Sequence, residues 1–274
     1  MPEGDTVYVA ATRLNRALAG QVLTRTDFRV PRFATVDLSG DRVCEVAARG
    51  KHLLFRFERG LTLHTHFMMD GVWRLHRPGE RWRAPAFQAR AVLETEPWVA
   101  IGFRLAVTEL IATTAEHEVV GHLGPDLLGP DWDPAEALRR LEERGDRFLG
   151  DALLDQGVMA GLGNVYRCEI CWLKGLSPWA RVADVDDVRA VVDLAKRLIE
   201  ANRTTGSQVT TGDLRRGRGQ WVYGRAGRPC RRCGTPIRKR AEGAERVTYW
   251  CPHCQPAGHA MVGASDTDRN SERR

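Results

Sequence analysis

The chain has 274 residues, 43% hydrophobic and 28% charged, a composition that fits one large or two modest globular domains and excludes global disorder. No apolar run reaches the roughly 18–20 residues needed to cross a membrane, and Met1-Pro2-Glu3-Gly4-Asp5 lacks the basic and apolar regions of a signal peptide. The net charge is +6 but uneven: between Arg203 and Arg246, eleven Arg and one Lys stand against three acids, a local +9. Such a block predicts a polyanionic partner, nucleic acid first, over a merely solvated basic surface.

In chain order, residues 5–19 read as a helix, with Val7, Ala10, Ala11, Leu14 and Leu18 at helical spacing. From 21 to about 110 the pattern changes to short strands, among them 50–57, 61–66 and 89–94. Turn residues separate them at intervals of roughly ten, as in a β-sandwich. The Gly/Pro-rich stretch 121–130 reads as an interdomain linker. Asp133 is a helix N-cap with Pro134 at the first helical position, and that helix runs to about 144. Further helices are expected at 151–156, 164–173 and 186–201. The tail 257–274 is polar and expected to be disordered. There are no internal repeats.

Seven Cys, an odd number without a secretory signal, do not fit a disulfide framework. Cys230-x2-Cys233 is followed after seventeen residues by Cys251-x2-Cys254. That spacing fits two knuckles placing four thiolates around one Zn²⁺, with Gly234, Pro236 and Pro252 supplying turns. His253 lies in the second knuckle, but four Cys already close the site. Cys168-x2-Cys171 lies within a helical pattern on one face, so both read as small core residues rather than ligands.

Four features occur together: Pro2-Glu3-Gly4, the run from Gln156 to Tyr166 containing Gly161-Leu162-Gly163-Asn164, Val222-Tyr223-Gly224-Arg225, and the four-Cys ribbon. In this order they resemble the formamidopyrimidine-DNA glycosylase/endonuclease VIII family, closest to its actinobacterial endonuclease VIII-like branch, from Pro2 to about Gln255. The resemblance implies an α+β fold. A β-sandwich with a leading helix would span 1–120, a linker 121–132, a helix–two-turn–helix domain 133–222 and a zinc ribbon 223–256, before the tail 257–274. It implies damaged DNA as partner, bound between the halves. It further implies one structural Zn²⁺, no small-molecule cofactor, no membrane contact, a monomer, and a place beside the nucleoid in bacterial cytoplasm.

The implied reaction is base excision followed by strand nicking. Loss of Met1 would expose the secondary amine of Pro2. An α-amine titrates near roughly 7.7–8.0 against roughly 10.4 for Lys, which suits it to attack the sugar C1′. Glu3 would protonate the sugar or shuttle protons, and as a carboxylate at a helix start it would also suit the dipole. The resemblance makes Lys51 the hairpin lysine that assists elimination. Asn164 and Arg246 become phosphate contacts beside the lesion, with Arg246 assisting the second elimination. Met69, with Met68 beside it in His66-Phe67-Met68-Met69-Asp70-Gly71, becomes the residue filling the stack.

Departures set the branch. Gly4 in place of Leu and Gly71-Val72-Trp73-Arg74 point to endonuclease VIII, and 108–118 lacks the Arg-x-Phe pair of purine-preferring members. The loop before Val222 is short; against the pattern of that branch, Asp5-Thr6 replaces its usual Pro-Glu and Met68 stands where its wedge loop carries Gln. Oxidised pyrimidines are therefore the expected substrates. The alternatives are the same chemistry on oxidised purines, or a non-catalytic damaged-DNA-binding zinc protein, which intact Pro2, Glu3 and Lys51 count against.

Overall fold

The computed structural model describes residues 2–205, 207–242 and 246–256. Helix α1 (Gly4–Leu18) buries Val7, Ala11, Leu14 and Leu18, the face its apolar period specifies. Eight strands follow: β1 (Leu23–Phe28), β2 (Val43–Arg49), β3 (His52–Phe57), β4 (Leu61–His66), β5 (Val72–His76), β6 (Ala89–Thr95), β7 (Val99–Phe103) and β8 (Val107–Ala112). They make two four-stranded antiparallel sheets, ordered β1-β6-β7-β5 and β2-β3-β4-β8.

One core lies between the sheets. Leu23, Phe28, Trp73 and Leu93 of the first share it with Val46, Leu53, Phe55 and Leu63 of the second, and with Val7, Leu14 and Leu18 of α1. Each such burial is worth roughly 1.5–3 kcal/mol against exposure. The outer face of the first sheet is covered as well: Val92, Ile101 and Phe103 pack with Trp82 and Ala84. That is why β7 is apolar and buried at every position instead of alternating.

The strand expected over 50–57 begins only at His52. Gly50, at φ 57°, and Lys51 form the β2–β3 turn, because left-handed backbone suits glycine and breaks the ladder. The short helix α2 (Glu116–Val120) ends the sandwich. Residues 121–130, expected as a linker, run into a buried segment from Leu123 to Leu127.

Helices α3 (Pro134–Glu142), α4 (Leu149–Ala152), α5 (Asn164–Lys174) and α6 (Val188–Asn202) build a second core around Leu141, Leu153, Leu162, Tyr166, Ile170 and Ile199. Asp133 caps α3 by accepting from the N–H groups of Ala135 and Glu136, and Asp187 caps α6 through Ala190. The helix expected at 151–156 lies earlier and is one turn long. The Gln156 amide donates to the carbonyls of Leu154 and Leu162, 2.9 Å each, so it frames a turn rather than extending a helix. No helix among the described residues is long and apolar enough to cross a membrane.

Helix α5 is buried from Asn164 to Trp172, and its polar side chains each tie down another segment. Glu169 accepts from the backbone N–H groups of Trp221, Val222 and Tyr223, 2.8 Å each, and from the Thr210 hydroxyl. Arg167 donates to Thr248 in the terminal hairpin of β9 (Arg238–Glu242) and β10 (Arg246–Trp250). Cys168 and Trp172 pack with Val222, Ile237 and Cys251, while Cys171 joins the helical core, so the Cys168-x2-Cys171 pair is core as expected.

Removing the Glu169 carboxylate strands three buried donors, each costing about 1–3 kcal/mol when unmatched. Glu169→Ala should therefore destabilise the attachment of 210–223 by 3 kcal/mol or more, as an order of magnitude. Hydrogen exchange should show the amides of 221–223 losing protection while those of β3 and β6 keep theirs. Unchanged protection at 221–223 would show that packing alone holds the segment.

Candidate active site

Glu3 is 0% exposed. Its carboxylate accepts from Gly163 N–H and Val165 N–H, 2.7 Å each, at the N-terminus of α5. It thus caps a helix 160 residues away, where Gly163 provides no side-chain cap. Close backbone contact makes this possible: Gly4 N–H donates to Gly161 O at 2.9 Å. Burial pushes the Glu3 carboxyl up to about 7, partly opposed by Lys51 and by the two N–H bonds. Its carboxylate therefore meets the N-terminus of α5 and makes no side-chain cap bond at the start of α1. The buried Asp5 carboxylate makes a parallel tie, accepting from the Tyr166 hydroxyl at 3.1 Å.

Lys51 sits on the β2–β3 turn, and the second core holds that turn. Asp126 accepts from Gly50 N–H at 2.7 Å. Arg49 pairs with Asp131 at 2.6 Å and donates to Gly124 O at 3.1 Å. Burial draws the Lys51 ammonium below the usual lysine range; Glu3 resists this and Arg246 adds to it.

Pro2, Lys51, Asn164 and Arg246 meet around one cavity of about 270 Å³. Met68 and Met69 lie on its rim, 50% and 51% exposed, which is unusual for side chains so apolar. Met68 has φ 50°, a left-handed turn. Its N–H donates to Nδ1 of His66 at 2.9 Å. Burial and the neighbouring Lys51 hold His66 down to about 4, so it stays a neutral acceptor near pH 7. Asn164 is placed less simply: its amide donates to Val247 O at 2.9 Å, fixing β10 and with it Arg246, the first residue of that strand.

Three residues of this arrangement escape sequence reasoning. His66 and Gln156 line the cavity, and Asp126 holds the lysine turn. His66 closes a strand next to the Met pair, and Gln156 opens the Gly-rich run, so position offered a signal for both. Asp126 offered none, because its partner Gly50 is 76 residues away.

The Sγ atoms of Cys230, Cys233, Cys251 and Cys254 lie within 4.8 Å of one another. Tetrahedral Zn–S bonds of about 2.3 Å put sulfurs about 3.8 Å apart. The observed Cys230–Cys254 and Cys233–Cys251 separations are 3.9 and 3.4 Å. Backbone N–H groups of Arg232 and Cys254 point at Cys230 and Cys251 sulfurs, 3.4 Å each, as thiolates require. The residues fit a structural zinc ion that would fix the ribbon carrying Arg246.

Glu3 has a testable thermodynamic sign. It binds its proton more tightly folded, at about 7, than at the ordinary 4.5. The associated stability is complete below pH 4.5 and is lost as pH rises through 7. Glu3→Gln removes this dependence. Between pH 5 and pH 8 wild type should lose about 2–3 kcal/mol relative to Glu3→Gln, read from urea unfolding. A stability difference that stays constant with pH would contradict the raised carboxyl.

Comparison with known proteins agrees with this geometry. Residues 1–108 match the family model described as "Formamidopyrimidine-DNA glycosylase N-terminal domain", and 227–257 match "Zinc finger found in FPG and IleRS". The chain is 55% identical over 261 residues to a "Probable endonuclease 8 2" of Streptomyces coelicolor, covering 93% of this chain and 94% of the relative. It is 51% identical over 257 residues to the "DNA-(apurinic or apyrimidinic site) lyase Nei2" of Mycolicibacterium smegmatis, covering 94% and 100%. The formamidopyrimidine-DNA glycosylase of Lactococcus lactis, solved with DNA containing an abasic site, shares the fold at TM-score 0.77 and 24% identity, covering 93% of this chain and 100% of that one. With about half its residues shared along nearly its whole length, and with the four-Cys cluster matching a zinc finger, the chain belongs to the formamidopyrimidine-DNA glycosylase/endonuclease VIII family.

Proposed function

We propose that the protein excises oxidised, ring-saturated pyrimidines from DNA, with Pro2 as nucleophile. The reaction class is that of its family: a bifunctional DNA glycosylase and abasic-site lyase of base excision repair. One observation carries the assignment of roles. A single cavity gathers the N-terminal Pro2, the turn lysine Lys51 and the ribbon arginine Arg246, beside a buried carboxyl poised near neutrality.

Removal of Met1 leaves Pro2 with a secondary amine. The positive charges of Lys51 and Arg246 favour its neutral, nucleophilic form. The nitrogen attacks C1′ and the base departs with the electrons of its glycosidic bond. Glu3, with both protonation states populated near pH 7, gives a proton to the ring oxygen as the sugar opens. The departing base anion takes the N–H proton of the attached nitrogen, and the lone pair so regained completes a C1′=N⁺ iminium. That cation acidifies C2′; a base takes the C2′ proton and the 3′ phosphate leaves. Water then hydrolyses the iminium and frees Pro2. Lys51 assists the elimination, Asn164 and Arg246 hold the flanking phosphates, and Met69 enters the gap left by the flipped nucleotide.

The pyrimidine preference rests on two observations. Residues 108–118 are occupied by strand β8 and the short helical turns after it, with no Arg or Phe for a void-filling loop. The segment 210–221 is short and pinned by Glu169, so we read the base pocket as having little cover. An open pocket accepts non-planar bases and holds a flat purine loosely. The protein acts on damaged DNA as a monomer.

Borohydride should trap a covalent adduct with abasic DNA whose modified peptide begins at Pro2, and retention of Met1 should slow trapping. An adduct on Lys51 would overturn the assignment. In single turnovers, thymine glycol and dihydrouracil should leave faster than 8-oxoguanine opposite cytosine, with appreciable activity on bubbles. 8-Oxoguanine leaving fastest would place the enzyme with the purine branch.

A further inference from the structure

A second cavity, of about 490 Å³, opens between α1 and β5. It shares no lining residue with the cavity at Pro2, yet Phe67 and Gly71 of its wall flank the Met68-Met69 turn. Arg13, Arg74 and Arg83 line it, and no acidic residue does.

These arginines are poorly paired. The Nε of Arg74 is buried with no hydrogen-bond partner. Among the described residues no ion pair joins Arg74 or Arg13 to a carboxylate. Arg83 meets Glu80 at 3.5 Å from a largely exposed side chain. His76 also lines the cavity, 2% exposed, with neither ring nitrogen hydrogen-bonded; the Glu80 carboxylate stands 3.6 Å from its Nδ1. Buried polar groups are normally matched, and an unmatched guanidinium is costly. Arg56, also half-buried, is matched by Glu45 and Glu116.

Three arginines around an open cavity that no carboxylate lines complement an anion with several acceptor oxygens. The planar guanidinium fork suits phosphate in particular. The remaining wall is apolar, with Val9, Leu14, Trp73 and Leu75, and offers a surface to a sugar or base. We infer that this cavity binds a nucleotide, its phosphate held by Arg74 with Arg13 and Arg83, and its sugar or base against the Trp73 wall. The nucleotide comes either from the bound DNA strand, where it would anchor the loop bearing Met69, or from free solution. Only the first source rests on the DNA-acting reading above.

Two measurements on the full-length, zinc-loaded protein test this. Calorimetric titration with thymidine 5′-monophosphate should show binding to wild type that Arg74→Gln weakens at least tenfold and the exposed Arg13→Gln weakens less. Binding of undamaged duplex is then followed against salt. If the nucleotide belongs to the strand, Arg74→Gln lowers the log–log salt slope by about 0.9, the value for one phosphate. If it is free, the slope stays and only monophosphate binding falls. Monophosphate binding and salt slope that are both indifferent to Arg74→Gln and Arg13→Gln would overturn the inference. Arg13→Gln removes an exposed side chain, so it keeps the test decisive if Arg74→Gln fails to fold.

Discussion

The Glu3 carboxylate, held between the N–H groups of Gly163 and Val165, joins the start of the chain to the buried helix of the second core. Position 163 must be glycine for this: a Cβ there would sit 2.4 Å from the Glu3 Cδ. Gly4 is constrained likewise, since its Cβ would lie 2.8 Å from Gly161 Cα. Two glycines thus admit one carboxylate into a site without water-sized slack. The enclosure raises its proton affinity toward neutrality, while the two N–H donors keep it ordered. The same contact sets where Pro2, one residue earlier, stands.

Helix α5 extends that logic along its length. A helix so fully buried would be expected to be apolar all round, yet it carries Asn164, Arg167 and Glu169 inward. Each reaches a different partner: Val247 on β10, Thr248 on the same strand, and the backbone of 221–223. Polar groups in a low-dielectric interior are costly unless satisfied, so each bond specifies one position for the segment it meets. The ribbon, with no large core of its own, is located by these bonds and by its four-Cys cluster. Much of the +9 block therefore lies on a ribbon and loop whose orientation α5 dictates.

The second core serves the first in the other direction too. Asp126, Asp131 and Gly124, from the stretch that joins the cores, hold the turn on which Lys51 stands. A joining segment this well bonded is part of the site. The Met68-Met69 turn stands between two cavities, one containing Pro2 and the other lined by three arginines. Its left-handed residue is supported by a histidine that stays neutral because it is buried and has a lysine as its neighbour.

Local signals carried much of this into the sequence. The period of α1, the strand 61–66, the cap Asp133 and the two Cys-x2-Cys knuckles depend on neighbours within a few residues, so they are legible without a fold. The motifs around Pro2 and Asn164 were legible through resemblance. Tertiary structure decided what those residues touch. It placed Lys51 on a turn instead of in a strand, and made Glu3 the cap of α5. It also engaged the Asn164 amide with Val247 and shortened the helix after residue 148 to one turn. The reason is separation along the chain. Glu3 and Val165 lie 162 residues apart, Gly50 and Asp126 lie 76 apart, and no periodicity links such pairs. Only the packing of two cores against one another brings a carboxylate to an N–H that its own neighbourhood leaves unmatched.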